Sequence, residues 1–236
     1  MKQVVVVIIL TVLFTGCQKT VSVLVVAGGH DFDTTEFFEM FRSLEGIRTD
    51  SVFHPEAMDV LYSEQVENYD VIAFYDFIPG LPQQDSAIFL NLVHKGIPML
   101  FLHHSICTFQ QWDGYMKMVG GRYVIPEYET DTSLHSDYRH DISMAVQVVD
   151  PGHPVTLGME DFTIYDEGYS NIIVLPGVTP LLQTGHPDAS PLIGWAHKAG
   201  QSNIVYLMPG HDKHAYENPA YRRLLSQSIL WLAGKL

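Results

Sequence analysis

Basic residues are scarce in this 236-residue chain: 13 Lys and Arg stand against 27 Asp and Glu, a formal charge of -14 with His neutral. Nucleic acid and anionic lipid surfaces both require a basic patch, which these few scattered cations do not supply. No G-x-G-x-x-G or G-x-x-x-x-G-K run occurs, so neither a dinucleotide nor a P-loop site has support and no nucleotide cofactor is expected. H-E-x-x-H is also missing, so any metal site must be assembled from residues far apart in sequence. The long apolar run, Val4 to Phe14, is too short to span a bilayer. Internal repeats, low-complexity tracts and long linkers are absent between Val21 and Leu236, which with the length favours one domain. Cysteine occurs twice, at Cys17 and Cys107.

The run that is too short to span is of the right kind to be an export signal: Met1-Lys2, an apolar core, then small residues. Leu13-Phe14-Thr15-Gly16-Cys17 resembles the lipobox of bacterial lipoproteins. That resemblance implies a signal peptide over residues 1–16, a lipidated Cys17 with a short tether over 17–20, and a folded domain over 21–236. The mature chain is then exported and held at a periplasmic or cell-surface membrane face through its lipid alone. With Cys17 lipidated, Cys107 has no partner for an intramolecular disulfide and reads as a small buried hydrophobe.

What the chain does have is apolar runs that end in polar groups. Ile97 to Leu102 lacks polar alternation, the pattern of a strand buried on both faces of a parallel sheet, and it stops at His103 and His104. Val21 to Ala27 is a second such run, ending in Gly28-Gly29-His30. Asp33 or Thr34 can cap the helix that follows. Arg48 to Phe53 and Tyr69 to Tyr75 read as strands, and Gln83 to Lys95 as a helix. A further helix from about Phe109 to Val119 carries Trp112 and Tyr115. This order predicts an α/β fold, a doubly wound, mainly parallel sheet in a single domain. The segment Arg122 to Asp141 is polar and irregular, expected over the strand ends as a lid or edge extension, and its His135 and His140 are as readily solvated as functional. Strands follow at Met144 to Val149 and from Phe162, whose end presents Asp166 and Glu167. Further strands are expected from Asn171, Thr179, Leu192 and Asn203. Gly210-His211-Asp212 ends the last strand, and Pro219 to Ala233 closes the chain as an amphipathic helix.

Polar groups at the carboxyl ends of parallel strands share one crevice, which makes His30, His103, His104, Asp166, Glu167 and His211 the candidates. Imidazoles with one or two carboxylates suit a borderline divalent cation such as zinc, manganese or nickel, with positions open for water and substrate. The same set can instead do metal-free acid–base work.

The ordered set Gly28-Gly29-His30, Leu102-His103-His104-Ser105, Gly120-Gly121-Arg122-Tyr123, His153-Pro154-Val155-Thr156, Asp166-Glu167 with Tyr169, and Gly210-His211 resembles the ThuA-like, or trehalose-utilisation, family over about Val21 to Leu236. The resemblance implies a flavodoxin-like sheet similar to class I glutamine amidotransferases and a role in carbohydrate metabolism. It carries over His30, His103, Glu167 and His211 as the site, with Asp166 and Tyr169 beside them. A metal would be held by some of those four, with Glu167, Asp166 and His103 as catalytic groups. His104, Trp112, Tyr115, Tyr169 and Tyr216 would contact a sugar, the aromatics by stacking on its ring. Ala199 to Asn203 and Tyr216 depart from the family's usual pattern, which bears on the substrate more than on the fold. The amidotransferase relatives need a cysteine on the turn after the central strand and a late His-x-Glu. Here the turn carries His103, and Asp212-Lys213 follow His211, which points away from that activity.

The expected function is therefore a lipid-anchored enzyme acting on a sugar or keto-sugar, with a small-molecule carbohydrate as partner and a homo-oligomer left open. The alternative is a non-catalytic carbohydrate-binding lipoprotein. A glycoside hydrolase is the weakest reading, because it needs two carboxylates at a set separation while Asp166 and Glu167 are adjacent.

Overall fold

A computed structural model describes residues 20–80 and 85–236. The signal segment and Cys17 lie outside these residues, as do Gln83 and Gln84 of the helix expected from Gln83. The centre is built from runs that are buried almost throughout: β1 (Val21–Gly28), β3 (Val71–Asp76), β4 (Met99–Leu102) and β11 (Ser202–Leu207). β2 (Ile47–Phe53) joins them at the edge in the order β2-β1-β3-β4-β11, all parallel. Parallel strands need both faces covered. α1 (Thr34–Arg42), α2 (Ala57–Tyr62), α3 (Ser86–Lys95), α4 (Asp113–Val119) and α6 (Pro219–Leu232) each turn buried apolar residues inward. α6 starts where Asn218 accepts from the Ala220 and Tyr221 N–H groups with Pro219 at the first helical position, and it buries Tyr221, Leu224, Leu225, Ile229 and Leu232. Each such large side chain contributes about 1.5–3 kcal/mol of burial.

Beyond β11 the sheet continues antiparallel through β10 (Leu192–Ala199), β9 (Thr179–Thr184), β6 (Asp137–Val148) and β7 (Phe162–Ser170). Among the described residues nine strands thus form one mixed sheet of a single α/β domain, its parallel half as the apolar runs require. β5 (Gly121–Arg122) and β8 (Ile173–Val174) make a separate two-stranded ladder, and α5 (Lys213–Glu217) links β11 to α6. No described helix is long and apolar enough to cross a membrane.

Three sequence expectations are corrected. The helix expected from Phe109 starts at Asp113, because Phe109 takes φ 53° and the Phe109 and Gln110 N–H groups bond to Ile78 and Pro79 instead of opening a helix. β6 begins at Asp137 rather than Met144, since its first five residues are exposed and the buried alternation starts only at Ile142. Asp166 and Glu167 sit inside β7, not at its end. Although β7 is outermost in the sheet, Asp166 accepts the N–H groups of Gly210 and His211 after β11. The antiparallel half therefore curls back over the strand ends of the parallel half.

Candidate functional site

β4 ends in a 3-10 turn, His103–Cys107, and His103 occupies it at φ 49°, a conformation uncommon for a non-glycine residue and concentrated at functional sites. The turn drives its ring under the sheet edge, fully buried. Nδ1 faces the Met208 carbonyl at 2.7 Å, and a carbonyl only accepts, so Nδ1 carries a proton and Nε2 is the nitrogen turned to the cluster. Around Nε2 stand Glu167 Oε2 at 2.9 Å, His211 Nδ1 at 3.1 Å and the Tyr169 hydroxyl at 2.8 Å, with the Tyr169 ring stacked on the imidazole at 4.7 Å. His211 Nδ1 is also 3.2 Å from Glu167 Oε2.

His211 is delivered by a braced backbone. Both Asp166 oxygens are engaged, one by the Gly210 N–H at 2.7 Å and one by the His211 N–H at 2.9 Å. The Tyr75 hydroxyl reaches the Gly210 carbonyl and the Tyr216 hydroxyl the His211 carbonyl, the two hydroxyls lying 2.6 Å apart. Gly210 takes φ 126°, and a Cβ there would lie 2.3 Å from the Tyr221 hydroxyl, so no other residue fits the turn.

Burial pushes the Glu167 carboxyl up, but hydrogen bonds and charge from His103 and His211 outweigh it and hold the group well below the ordinary carboxylate range. His211 mirrors this: burial lowers it, yet the Glu167 hydrogen bond and charge leave it raised. Asp166 is raised by burial despite its N–H partners. His104 is kept neutral well below the ordinary imidazole value by burial and by repulsion from His103, His30 and His211. A Tyr75 backbone hydrogen bond opposes this only in part. Its Nε2 has no partner among the described residues.

These groups form the floor of a cavity of about 420 Å³, within the range of small-molecule sites. Its walls come from the turn after β4 and from the 123–140 segment, including Tyr123, Glu127, Asp137, Tyr138 and His140, which is where a covering segment was expected. Neither lysine nor arginine is among its described lining residues. Cys107 lines it too, buried as expected, with burial pushing its thiol pKa well up and the Glu167 charge adding to the rise.

The predicted residues divide into four groups. His103, Glu167 and His211 converge, their ligand atoms within 4.8 Å of one another, with Tyr169 beside them. His30 and His104 line the same cavity, but His30 is not in the cluster: its Nδ1 turns to the Asp31 carbonyl at 2.6 Å, and its ring centroid is 6.4 Å from that of His211. Asp166 lies behind the cavity as a backbone brace rather than a group facing substrate. Tyr115, Tyr216 and Trp112 do not line the cavity. Tyr115 is core, bonded to the Ser105 carbonyl among Phe89, Phe101 and Phe109; Tyr216 is buried on Tyr75; Trp112 packs on Phe89 and Phe109. Sequence reasoning underweighted His140, whose Nδ1 is 3.1 Å from Glu167 Oε1, and did not single out Tyr75 as a brace. Neither has a local sequence signal.

A parallel sheet with its polar cluster at the strand ends and an antiparallel extension folded over it defines the class I amidotransferase-like α/β fold. The family profile described as "ThuA: Trehalose utilisation" matches residues 22–232, and the chain belongs to that family, within carbohydrate metabolism. A putative ThuA-like protein from Parabacteroides merdae superposes with TM-score 0.75 at 16% identity, over 92% of each chain. Another from Bacteroides uniformis gives 0.68 at 17%, over 92% of this chain and 93% of that one. A glutamine amidotransferase from Thermotoga maritima gives 0.52 at 12%, over 91% and 98%. At these identities the likeness is one of fold. No curated protein sequence matches the chain.

Proposed function

We propose that this chain is a lipid-anchored, exported enzyme that acts on an unphosphorylated sugar or keto-sugar, with a divalent cation held by His103 Nε2, Glu167 Oε2 and His211 Nδ1. One observation carries the reading: three atoms that can accept or ligate crowd within 2.9–3.2 Å of each other at a cavity floor, with the His103 proton committed to Met208 on the far side. Such a cluster is short of hydrogens, and either protons or a cation must fill it. Ligands about 2.0–2.2 Å from a zinc-type ion are separated by about 3 Å on one face of its coordination shell, which matches. Two imidazoles and a carboxylate with open positions suit zinc, manganese, nickel or iron.

A bound cation would supply Lewis acidity toward a sugar carbonyl or hydroxyl oxygen. The chain's own groups do the rest. The Tyr169 hydroxyl and the half-exposed His140 border the reacting region, His104 lines it with its Nε2 buried, and the exposed Tyr138 ring offers an apolar face to a sugar. That no lysine or arginine is among the described lining residues supports an uncharged substrate over a sugar phosphate. Cys107 closes the turn, four residues past His103, and favours its thiol form, which supports a reading without glutamine amidotransfer. The export and anchoring parts rest on the Leu13 to Cys17 pattern.

The test is the metal content and zinc, manganese and nickel titration of the purified protein, prepared without a His tag, followed by turnover screens with keto-sugars and disaccharides. Near-stoichiometric metal that is lost in His103→Ala, with the fold intact, is expected. A wild-type protein that takes up no metal but binds sugar would overturn the metal-dependent reading in favour of a carbohydrate-binding protein.

A further inference from the structure

We infer that His140 is a positioning residue for Glu167, holding the carboxylate so that Oε2 alone faces the cation site while Oε1 is turned away. The inference rests on the metal-dependent reading above and adds a residue that the three-residue cluster does not include.

The geometry begins with the backbone. Between β6 and β7 the pairing runs Arg139 with Gly168 and then Ile142 with Asp166, so His140 and Asp141 together oppose Glu167. Two residues against one is a β-bulge, a device that re-aims a side chain. Asp141 adopts φ 59°, in the left-handed region, and so gives the bulge its turn. Without the extra residue, β6 would keep strict alternation through this point. With it, His140 turns onto the carboxylate: Nδ1 is 3.1 Å from Glu167 Oε1, and its ring centroid is 4.8 Å from that of His211.

The two oxygens of Glu167 are therefore in different company. Oε2 lies between His103 and His211, and Oε1 faces His140. A carboxylate oxygen only accepts, and Nδ1 is the His140 nitrogen that lies beside Oε1, so the tautomer with its proton on Nδ1 is the one that could restrain it. Restraining Oε1 favours one-oxygen ligation through Oε2, keeps the remaining coordination positions free for water and substrate, and removes the freedom that a 4%-exposed but unbraced carboxylate would have to lose on binding. The His140 side chain is itself half exposed, so it adds little to core packing, and its placement beside Glu167 calls for another role.

The experiment is calorimetric titration of the purified, metal-stripped protein with zinc and with manganese, at one fixed pH, for wild type, His140→Ala and His140→Asn. Partners that orient metal ligands typically contribute 10–100-fold in affinity, so His140→Ala should weaken binding by about that factor. His140→Asn, which can place an amide N–H near the Nδ1 position, should stay within about threefold of wild type, and all three metal-free proteins should melt within a few degrees. If His140→Ala does not fold, His140→Leu, which fills the space without a donor, takes its place against Asn. Unchanged affinity in Ala, or equal loss in Ala and Asn, would overturn the inference and leave the metal reading standing. A wild type that binds no metal would overturn both.

Discussion

Glu167→Gln removes a charge while keeping the shape, and so separates the electrostatic role of the cluster from its packing. The residue is 4% exposed, with Oε2 at 2.9 Å from His103, 3.2 Å from His211, and Oε1 at 3.1 Å from His140. In metal-free protein near pH 5 the raised His211 is an imidazolium facing this carboxylate, and the substitution leaves that charge against a neutral amide. Removing one partner of a buried ion pair costs about 3–5 kcal/mol. His211 keeps a 22%-exposed side chain, which brings the expectation to the lower end, about 3 kcal/mol. Near pH 8 the variant can release the proton, and the cost falls to that of an ordinary hydrogen bond, about 1 kcal/mol. For a domain of this size each kcal/mol moves Tm by about 2–4 °C. The variant should therefore melt roughly 6–12 °C below wild type at pH 5 and roughly 2–4 °C below at pH 8, by calorimetry with chelator present. Equal depressions at the two pH values would refute the electrostatic account, because a packing defect has no reason to titrate. The same variant should lose high-affinity metal at either pH.

Three further substitutions test the supports of the site. His104 has a folded pKa well below its unfolded value of about 6.5, so stability is lost as pH falls below that value, where the unfolded chain takes up a proton that the fold refuses. His211 is raised, so its contribution is present below about pH 6.5 and lost as pH rises through its folded pKa. Urea titrations should show His104→Gln flattening the stability slope on the acid side of pH 6.5 and His211→Gln flattening it on the alkaline side; unchanged slopes would remove both assignments. Asp166→Asn leaves one acceptor oxygen for the Gly210 and His211 N–H groups, and at about 1.5–3 kcal/mol for a hydrogen bond to a charged group the expected loss is near 3 kcal/mol, with weaker metal binding because His211 loses its brace. A variant with wild-type urea midpoint and metal affinity would free Asp166 from that role.

The parallel half of the fold was legible because its strands leave no choice. Val71 to Asp76 and Met99 to Leu102 are buried at every position, and an apolar run of that length with histidines at its end has few other readings. The antiparallel half was harder for the same physical reason in reverse. The first five residues of β6 are exposed, so Asp137 to Asp141 carry no period that marks a strand, and they read as loop. Aromatic residues misled in a characteristic way. Tyr115 and Tyr216 look like sugar-stacking groups by type, but each is a core side chain whose hydroxyl finds a carbonyl, at Ser105 and at His211. Type alone does not distinguish a buried tyrosine with a satisfied hydroxyl from one facing a cavity.

Within the site, the residues that could be found were those at strand ends, and those that could not were set by pairing between distant strands. His103 and His211 are placed by β4 and β11, whose ends must coincide in a parallel sheet, so their meeting at 3.1 Å follows from topology. Glu167 reaches the same point from the middle of an edge strand only because the sheet curls far enough for Asp166 to take two N–H groups from the loop after β11. Asp166 and Glu167 are thus used as a pair, one carboxylate locking the backbone of His211 and the next meeting its ring. Alternation along a strand, taken alone, would send these neighbours to unrelated faces. The bulge opposite Glu167 adds His140 by the same logic, since one extra residue in β6 is invisible as sequence and becomes visible only as a break in register. The chemistry of the site therefore depends as much on the antiparallel extension as on the apolar strands that announce the fold, and variation in that extension can change the substrate while the sheet beneath it stays the same.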